Sequence, residues 1–155
     1  MPRIEREATV AWRGSLSRGS GVAAAGTGAF ELPIDLPSRV GDPGGKTSPE
    51  ELLAAAHAGC FVTGLAGEIA GAGGTVDRLD VRCAVIMDEV PGTGHVIVAS
   101  ELDVEVRADG IDADVLERAV RSADDGCPFS ALIRASATVT VRARLASDEG
   151  GSNGS

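Results

Sequence analysis

Apolar and polar residues alternate with a period of two along several stretches of the chain, most cleanly where Leu102, Val104 and Val106 stand against Glu101, Asp103, Glu105 and Arg107. That period marks a strand with one buried face. Strands are therefore expected over residues 78–90 and 95–108, with Pro91-Gly92-Thr93-Gly94 turning one into the other as a hairpin. Residues 7–13 and 16–25 make an earlier pair broken by Arg13-Gly14-Ser15, which puts Arg18 near the start of the second strand. Residues 135–145 form a last alternating strand.

The period changes at Ser48-Pro49-Glu50-Glu51. Ser48 is placed to cap a helix, Pro49 fits its first position, and Glu51 completes a capping box. The helix should run from residue 49 to about 70 and stop at Gly71-Ala72-Gly73-Gly74. Leu52, Leu53, Ala54, Ala55, Ala56, Ala58, Phe61, Val62 and Leu65 cover most of its circumference, so it is expected to be central and buried on nearly all sides. An amphipathic helix over 112–125 turns Val115, Leu116, Ala119 and Val120 inward and ends at Gly126, and Pro128 opens a short helix to about residue 133. Residues 33–46, with three prolines and three glycines, read as loop or edge structure, and the polar Gly/Ser stretch 147–155 as a disordered tail. Hairpins grouped around one apolar helix give an α+β fold rather than a doubly wound parallel sheet, in a single domain over residues 3–146.

Composition narrows the function. Aromatics make up only 3% of the chain, so the core rests on small and aliphatic side chains and a partner subunit would help complete it. A net charge of −9 without a basic stripe argues against nucleic-acid binding. The N-terminus has no apolar signal-like run and the longest apolar segment is interrupted by His57, so no membrane association and a cytoplasmic location are expected. In a reducing compartment three cysteines point to redox or catalytic use rather than to a disulfide scaffold.

Cys60 lies a few turns into the apolar helix. Cys127, in Gly126-Cys127-Pro128, stands at a helix N-terminus, where backbone N–H groups favour a thiolate. Cys83 falls within an alternating strand and reads as packing. His57 is three residues before Cys60, within reach on a helix, and reads as a packed helix histidine rather than half of a metal site.

The ordered set Ala8-Thr9-Val10-Ala11-Trp12, Arg18-Gly19, the segment 47–60, Gly110-Ile111-Asp112-Ala113 and Gly126-Cys127-Pro128 resembles the OsmC/Ohr family of organic hydroperoxide reductases, and its OsmC branch more closely. The resemblance implies an intertwined homodimer with antiparallel sheets wrapped around the central helix. It implies a thiol-dependent peroxidase that reduces organic hydroperoxides, with hydrogen peroxide as a further candidate substrate, in oxidative-stress defence. Cys60 would be the peroxidatic cysteine and Cys127 the resolving one, with Arg18 and Glu50 as activators. A dithiol such as a lipoyl protein would reduce the Cys60–Cys127 disulfide, and no metal, haem or flavin is implied. Gly59 stands where Ala is more usual in that branch, and Phe129 follows Cys-Pro. Glu50 cannot touch Cys60 of its own helix, because ten residues make about 15 Å of rise, so a shared site would lie between subunits. The alternatives on the same fold are a non-catalytic binder of an apolar ligand and a thiol redox sensor.

Overall fold

Strand β1, Ala8–Arg13, pairs antiparallel with β2, Ser20–Ala25, in a register that sets Trp12 opposite Gly21. The turn between them is longer than Arg13-Gly14-Ser15. Gly14 takes a φ of 92°, the Gly19 N–H donates to the Ser15 carbonyl at 2.6 Å, and a Cβ on Gly19 would stand 2.3 Å from that oxygen. Only glycine fits such an approach. Residues 16–18 are consumed by the turn, so Arg18 precedes β2 instead of lying in it.

The segment 33–46 is not merely loop. Strand β3, Glu31–Ile34, extends the sheet in the order β1-β2-β3, and Asp35 then caps helix α1, Leu36–Val40. The Asp35 carboxylate accepts from the Ser38 N–H at 2.8 Å, and the Ser38 hydroxyl accepts from the Asp35 N–H at 3.2 Å. A parallel bridge from Ile34 to Thr47 returns the chain to the end of β3. Helix α2, Pro49–Gly71, starts there, capped as expected by the Ser48 hydroxyl, which accepts from the Glu51 N–H at 3.1 Å. The return arm of the box differs: the Glu51 carboxylate accepts from the Thr47 hydroxyl at 2.9 Å.

The structure, a computed structural model, describes residues 2–146, so the tail assigned to 147–155 lies outside the described residues. Two compact units meet in sequence at Leu52 and Leu53. The second holds a sheet in the order β4-β5-β6, made of β4, Thr75–Val90, β5, Gly94–Asp109, and β6, Thr138–Leu145. β4 and β5 form the expected antiparallel hairpin, whereas β6 joins β5 in parallel. A parallel neighbour needs a crossover, supplied here by helices α3, Ala113–Asp125, and α4, Pro128–Arg134. The fold is α+β, as the element order predicts, with the second sheet mixed rather than wholly antiparallel.

The core of this unit confirms the strand phase. Leu102, Val104 and Val106 are buried against Phe61, Leu65 and Ile69 of α2 and Leu116, Ala119 and Ala123 of α3. Burial of α2 is one-sided. His57, Phe61, Leu65 and Ile69 form a single buried stripe at intervals of four, while Leu53, Ala54 and Val62 stay half-buried and Ala55 and Gly59 exposed. The expectation of burial on nearly all sides fails within one chain, because the sheet covers only one face of the helix. By length and a mean hydropathy of 1.4 this helix could cross a membrane, but its stripe is committed to the core beside β5 and α3.

Gly59 has open space where a Cβ would stand. Gly59→Ala should therefore stabilise the protein by about 0.5–1 kcal/mol, since glycine in a helix interior costs that much relative to alanine. Denaturant unfolding of the two proteins checks it.

Candidate active site

Cys60 and Cys127 arrive in one place by different routes. Cys60 is on α2 one residue before the buried Phe61, so it lies at the edge of the core stripe and is half-buried. Cys127 occupies the N-cap position of α4, where Gly126 ends α3 and Pro128 begins the next helix, and it is 3% exposed. Both line a pocket of ≈ 270 Å³ with Thr63, Gly64, Glu68, Ser122, Ala123 and Gly126. Glu68 carries the only formal charge among these side chains, and it is negative.

The Cys60 thiol is held above its ordinary value first by burial and then by its neighbour Cys127, while the backbone N–H of Phe129 pulls the other way. Phe129 thus serves Cys60 through its main chain. Thr63, one turn on, spends its hydroxyl on the Cys60 carbonyl at 2.9 Å and offers the thiol nothing. A peroxidatic thiolate needs a cation, and no Lys or Arg lines this pocket.

A cation–carboxylate pair does exist in the first unit. Glu50 lies in the first turn of α2, and its carboxylate accepts from Arg39 of α1 at 2.6 Å (Nη2) and 3.4 Å (Nε). Arg39 is the leading cause of a lowered Glu50 pKa, helped by the backbone N–H and Ser48 against the cost of burial. Arg18 makes no ion pair with Glu50 among the described residues. Its backbone N–H binds the Ser15 hydroxyl at 3.3 Å, in the exposed turn before β2. Of the two activators expected from sequence, the structure gives Glu50 a partner, and that partner is Arg39. Arg39 was hidden in the Pro/Gly-rich stretch, where the signal that could have found it was the cap Asp35-Leu36-Pro37-Ser38 opening a helix.

His57 is a packed helix histidine, fully buried. Its Nδ1 lies 2.7 Å from the Ser100 hydroxyl on β5 and its Nε2 lies 2.8 Å from the Ser130 hydroxyl on α4. Both serines are also fully buried, and the Cys83 sulfur sits 3.2 Å from the Ser100 hydroxyl. With both nitrogens engaged, the ring has no free lone pair for a metal. Ser100 shares its strand face with Leu102, Val104 and Val106, so the sequence did carry a signal: a polar residue in core phase requires a polar partner. Cys83 is half-buried, and its pKa is raised by burial and only partly relieved by Ser100, which suits a packing role.

Burial is the main reason the His57 pKa is lowered, with Asp124 opposing and Arg134 adding to the effect. The native ring is neutral, and it cannot form an ion pair with Cys60. In the unfolded chain it would take up a proton near pH 6.5. Because the folded pKa is depressed, the ring's contribution is complete above that pH and is lost as pH falls, at up to about 1.4 kcal/mol per unit. The groups facing the ring are Cys83, Ser100, Ser130, Asp124 and Arg134. Between about pH 7.5 and 5.5 the wild type should lose more stability than His57→Gln, which has nothing to protonate there. Thermal melts at both pH values check it.

Two unpaired thiols sharing a pocket on an α+β scaffold, one accessible and one buried at the N-cap position of a helix, define a protein of the thiol-redox class. Comparison with known proteins places it further. Residues 41–142 match the family of OsmC-like proteins. The chain is 33% identical over 138 residues to the peroxiredoxin OsmC of Escherichia coli K12, covering 88% of this chain and 94% of that protein. It is 30% identical over 116 residues to an organic hydroperoxide resistance protein of Xanthomonas axonopodis pv. citri, covering 73% and 78%. Among solved structures, an OsmC organic hydroperoxide resistance protein of Legionella pneumophila superposes with a TM-score of 0.71 at 22% identity, over 94% of this chain and all of that one. The chain belongs to the OsmC/Ohr family.

Proposed function

We propose that this protein is a cytoplasmic, homodimeric thiol peroxidase that reduces organic hydroperoxides, with the units on either side of Leu52 acting as one OsmC-like domain over residues 3–146. The observation that carries this reading is the pairing of a half-buried Cys60 with a buried Cys127 in one small pocket. A peroxide must reach the first thiol, whereas the second needs to reach only the first.

The Cys60 thiolate attacks the distal peroxide oxygen, the O–O bond breaks, and the alkoxide leaves as an alcohol after taking a proton. Cys60 is then a sulfenic acid. Cys127 attacks its sulfur, an S–S bond forms, the S–O bond breaks, and water departs. A dithiol, such as a lipoyl group on a partner protein, reduces the disulfide by exchange and is itself oxidised.

The missing cation comes from a second copy. Arg39, oriented by Glu50, is the candidate, and Arg18 is a second one in the exposed turn. In support of a dimer, every residue of β1 is exposed, Val10 and Leu16 are 64% and 68% exposed, and the face of α2 opposite its buried stripe lacks cover. A chain of 155 residues that leaves this much apolar surface uncovered has reason to pair.

Peptide mapping tests the reading. After one equivalent of cumene hydroperoxide, the peptides carrying Cys60 and Cys127 should be joined by a disulfide, with Cys83 left as a thiol. A Cys60–Cys83 link, or no link at all, would count against it.

A further inference from the structure

The two cysteines are joined by a second, buried connection. His57 lies three residues before Cys60 on α2, and Ser130 lies three residues after Cys127, in α4. The imidazole spans the two helices, with Nε2 2.8 Å from the Ser130 hydroxyl, while its Nδ1 is held 2.7 Å from Ser100 on the sheet. All three side chains are fully buried, so no water competes for these bonds. Helix α4 has seven residues, and its N-cap Cys127 makes no side-chain capping bond. Main-chain bonds hold it, its carbonyl accepting from the Ala131 N–H at 3.1 Å and its N–H donating to the Asp124 carbonyl at 3.1 Å, so Cys127 moves with α4 and the end of α3. At the other end of α4, Arg134 pairs with Asp124 of α3. The Ser130 bond therefore ties α4 to the helix that carries Cys60, beside the Phe129 N–H that reaches the Cys60 thiol itself.

We propose that His57 and Ser130 are positioning residues for the resolving step: the Ser100–His57–Ser130 chain anchors α4 so that Cys127 faces the Cys60 sulfenic acid. The inference rests on the peroxidase reading above. It separates two steps that share a pocket. Attack on peroxide turns on Cys60 and a cation, with the Phe129 N–H as a lesser aid, whereas disulfide closure needs two sulfurs brought into register across two helices, a step sensitive to small displacements.

Amide isosteres of histidine discriminate between the two ends of the chain. The amide nitrogen of Asn stands where Nδ1 was and that of Gln where Nε2 was. His57→Asn therefore keeps the bond to Ser100 and gives up Ser130, and His57→Gln does the reverse.

Single-turnover stopped flow with cumene hydroperoxide, followed by acid quench and thiol mapping, gives the rates of sulfenic acid formation and disulfide closure separately. Sulfenic acid formation should stay within about threefold of wild type in every variant, and closure should slow tenfold or more in Ser130→Ala and His57→Asn but not in His57→Gln. A 1,3-dione trap should then label Cys60 in the two slow variants. Closure at the wild-type rate in Ser130→Ala and His57→Asn would overturn the inference, and so would equal slowing in His57→Asn and His57→Gln, which would reduce the ring to packing. If the variants do not fold, the wild type decides through the ¹⁵N resonances of the imidazole. Both nitrogens should report hydrogen bonds in the reduced protein, and an Nε2 without one overturns the inference. A wild type that never links Cys60 to Cys127 removes the peroxidase reading as well, whereas a cycling wild type with unaffected variants removes only the positioning role.

Discussion

Cys60→Ser is expected to lose peroxide consumption altogether, a fall of more than about a thousandfold, because a removed nucleophile leaves only binding and background chemistry. A serine hydroxyl keeps the shape of the side chain with a smaller atom, but it has almost no anionic fraction near neutral pH and none of sulfur's reactivity toward an O–O bond. Cys127→Ser should behave differently: it reacts with one equivalent of peroxide and then stops, with Cys60 as a trappable sulfenic acid. The asymmetry follows from exposure, since Cys60 is half-buried and Cys127 is 3% exposed. Mass spectrometry of peroxide-treated variants reads both outcomes. Equal loss of the first reaction in two folded mutants would give the cysteines a shared structural role instead.

The second large effect concerns the cation. Burial and Cys127 both push the Cys60 thiol up, and the only charge lining its pocket is the carboxylate of Glu68. Without a guanidinium the thiolate is scarce and the leaving alkoxide has no counter-charge. Arg39→Met should therefore slow the first step by about 10²–10³, the usual cost of removing a preorganised donor at a developing negative charge. Glu50→Gln should cost less, because an amide still holds the guanidinium in place, though without charge assistance. Arg18→Met is the comparison: its side chain has no partnered carboxylate among the described residues, and a loss exceeding that of Arg39→Met would transfer the role to it.

Mixing chains locates the cation. A verified heterodimer of Arg39→Met with Cys60→Ser holds one intact site if the guanidinium acts across subunits, and none if it serves its own subunit. Recovered activity of about half the wild type per dimer is expected, since one of two sites is restored. A verified heterodimer with no recovery refutes the cross-subunit arrangement and leaves the chemistry of Cys60 untouched.

Much of this was legible in sequence where a single local rule decides. Ser48-Pro49 and the glycines after residue 70 bound α2 correctly, and the alternation around Leu102, Val104 and Val106 gave both the strand and its inward face. The failures came where distant residues decide. The parallel pairing of β6 with β5 depends on how α3 and α4 carry the chain across, which no local pattern of the strand encodes. The apolar circumference of α2 reports how much surface must eventually be covered, not how much one chain covers, so burial was overestimated. Pro and Gly between residues 33 and 46 suggested loop or edge structure, which the end of edge strand β3 fits, but Pro37 sits in the first turn of α1, where proline is tolerated, and that helix, with Arg39 on it, was not among the expected elements.

The same contrast divides the site. The two cysteines announced themselves by motif, whereas the Arg39–Glu50 pair and the serines around His57 emerge only from geometry. Thirteen arginines offer no local way to choose among them.

The most direct measurement of the central claim is stoichiometry: moles of cumene hydroperoxide consumed per mole of wild-type chain in the presence of excess dithiol. Turnover through Cys60 and Cys127 predicts consumption that continues until peroxide or dithiol is exhausted. Consumption that halts at one equivalent per chain would contradict it and make the protein a redox sensor, and no consumption at all would leave a binder of apolar ligands on the same fold.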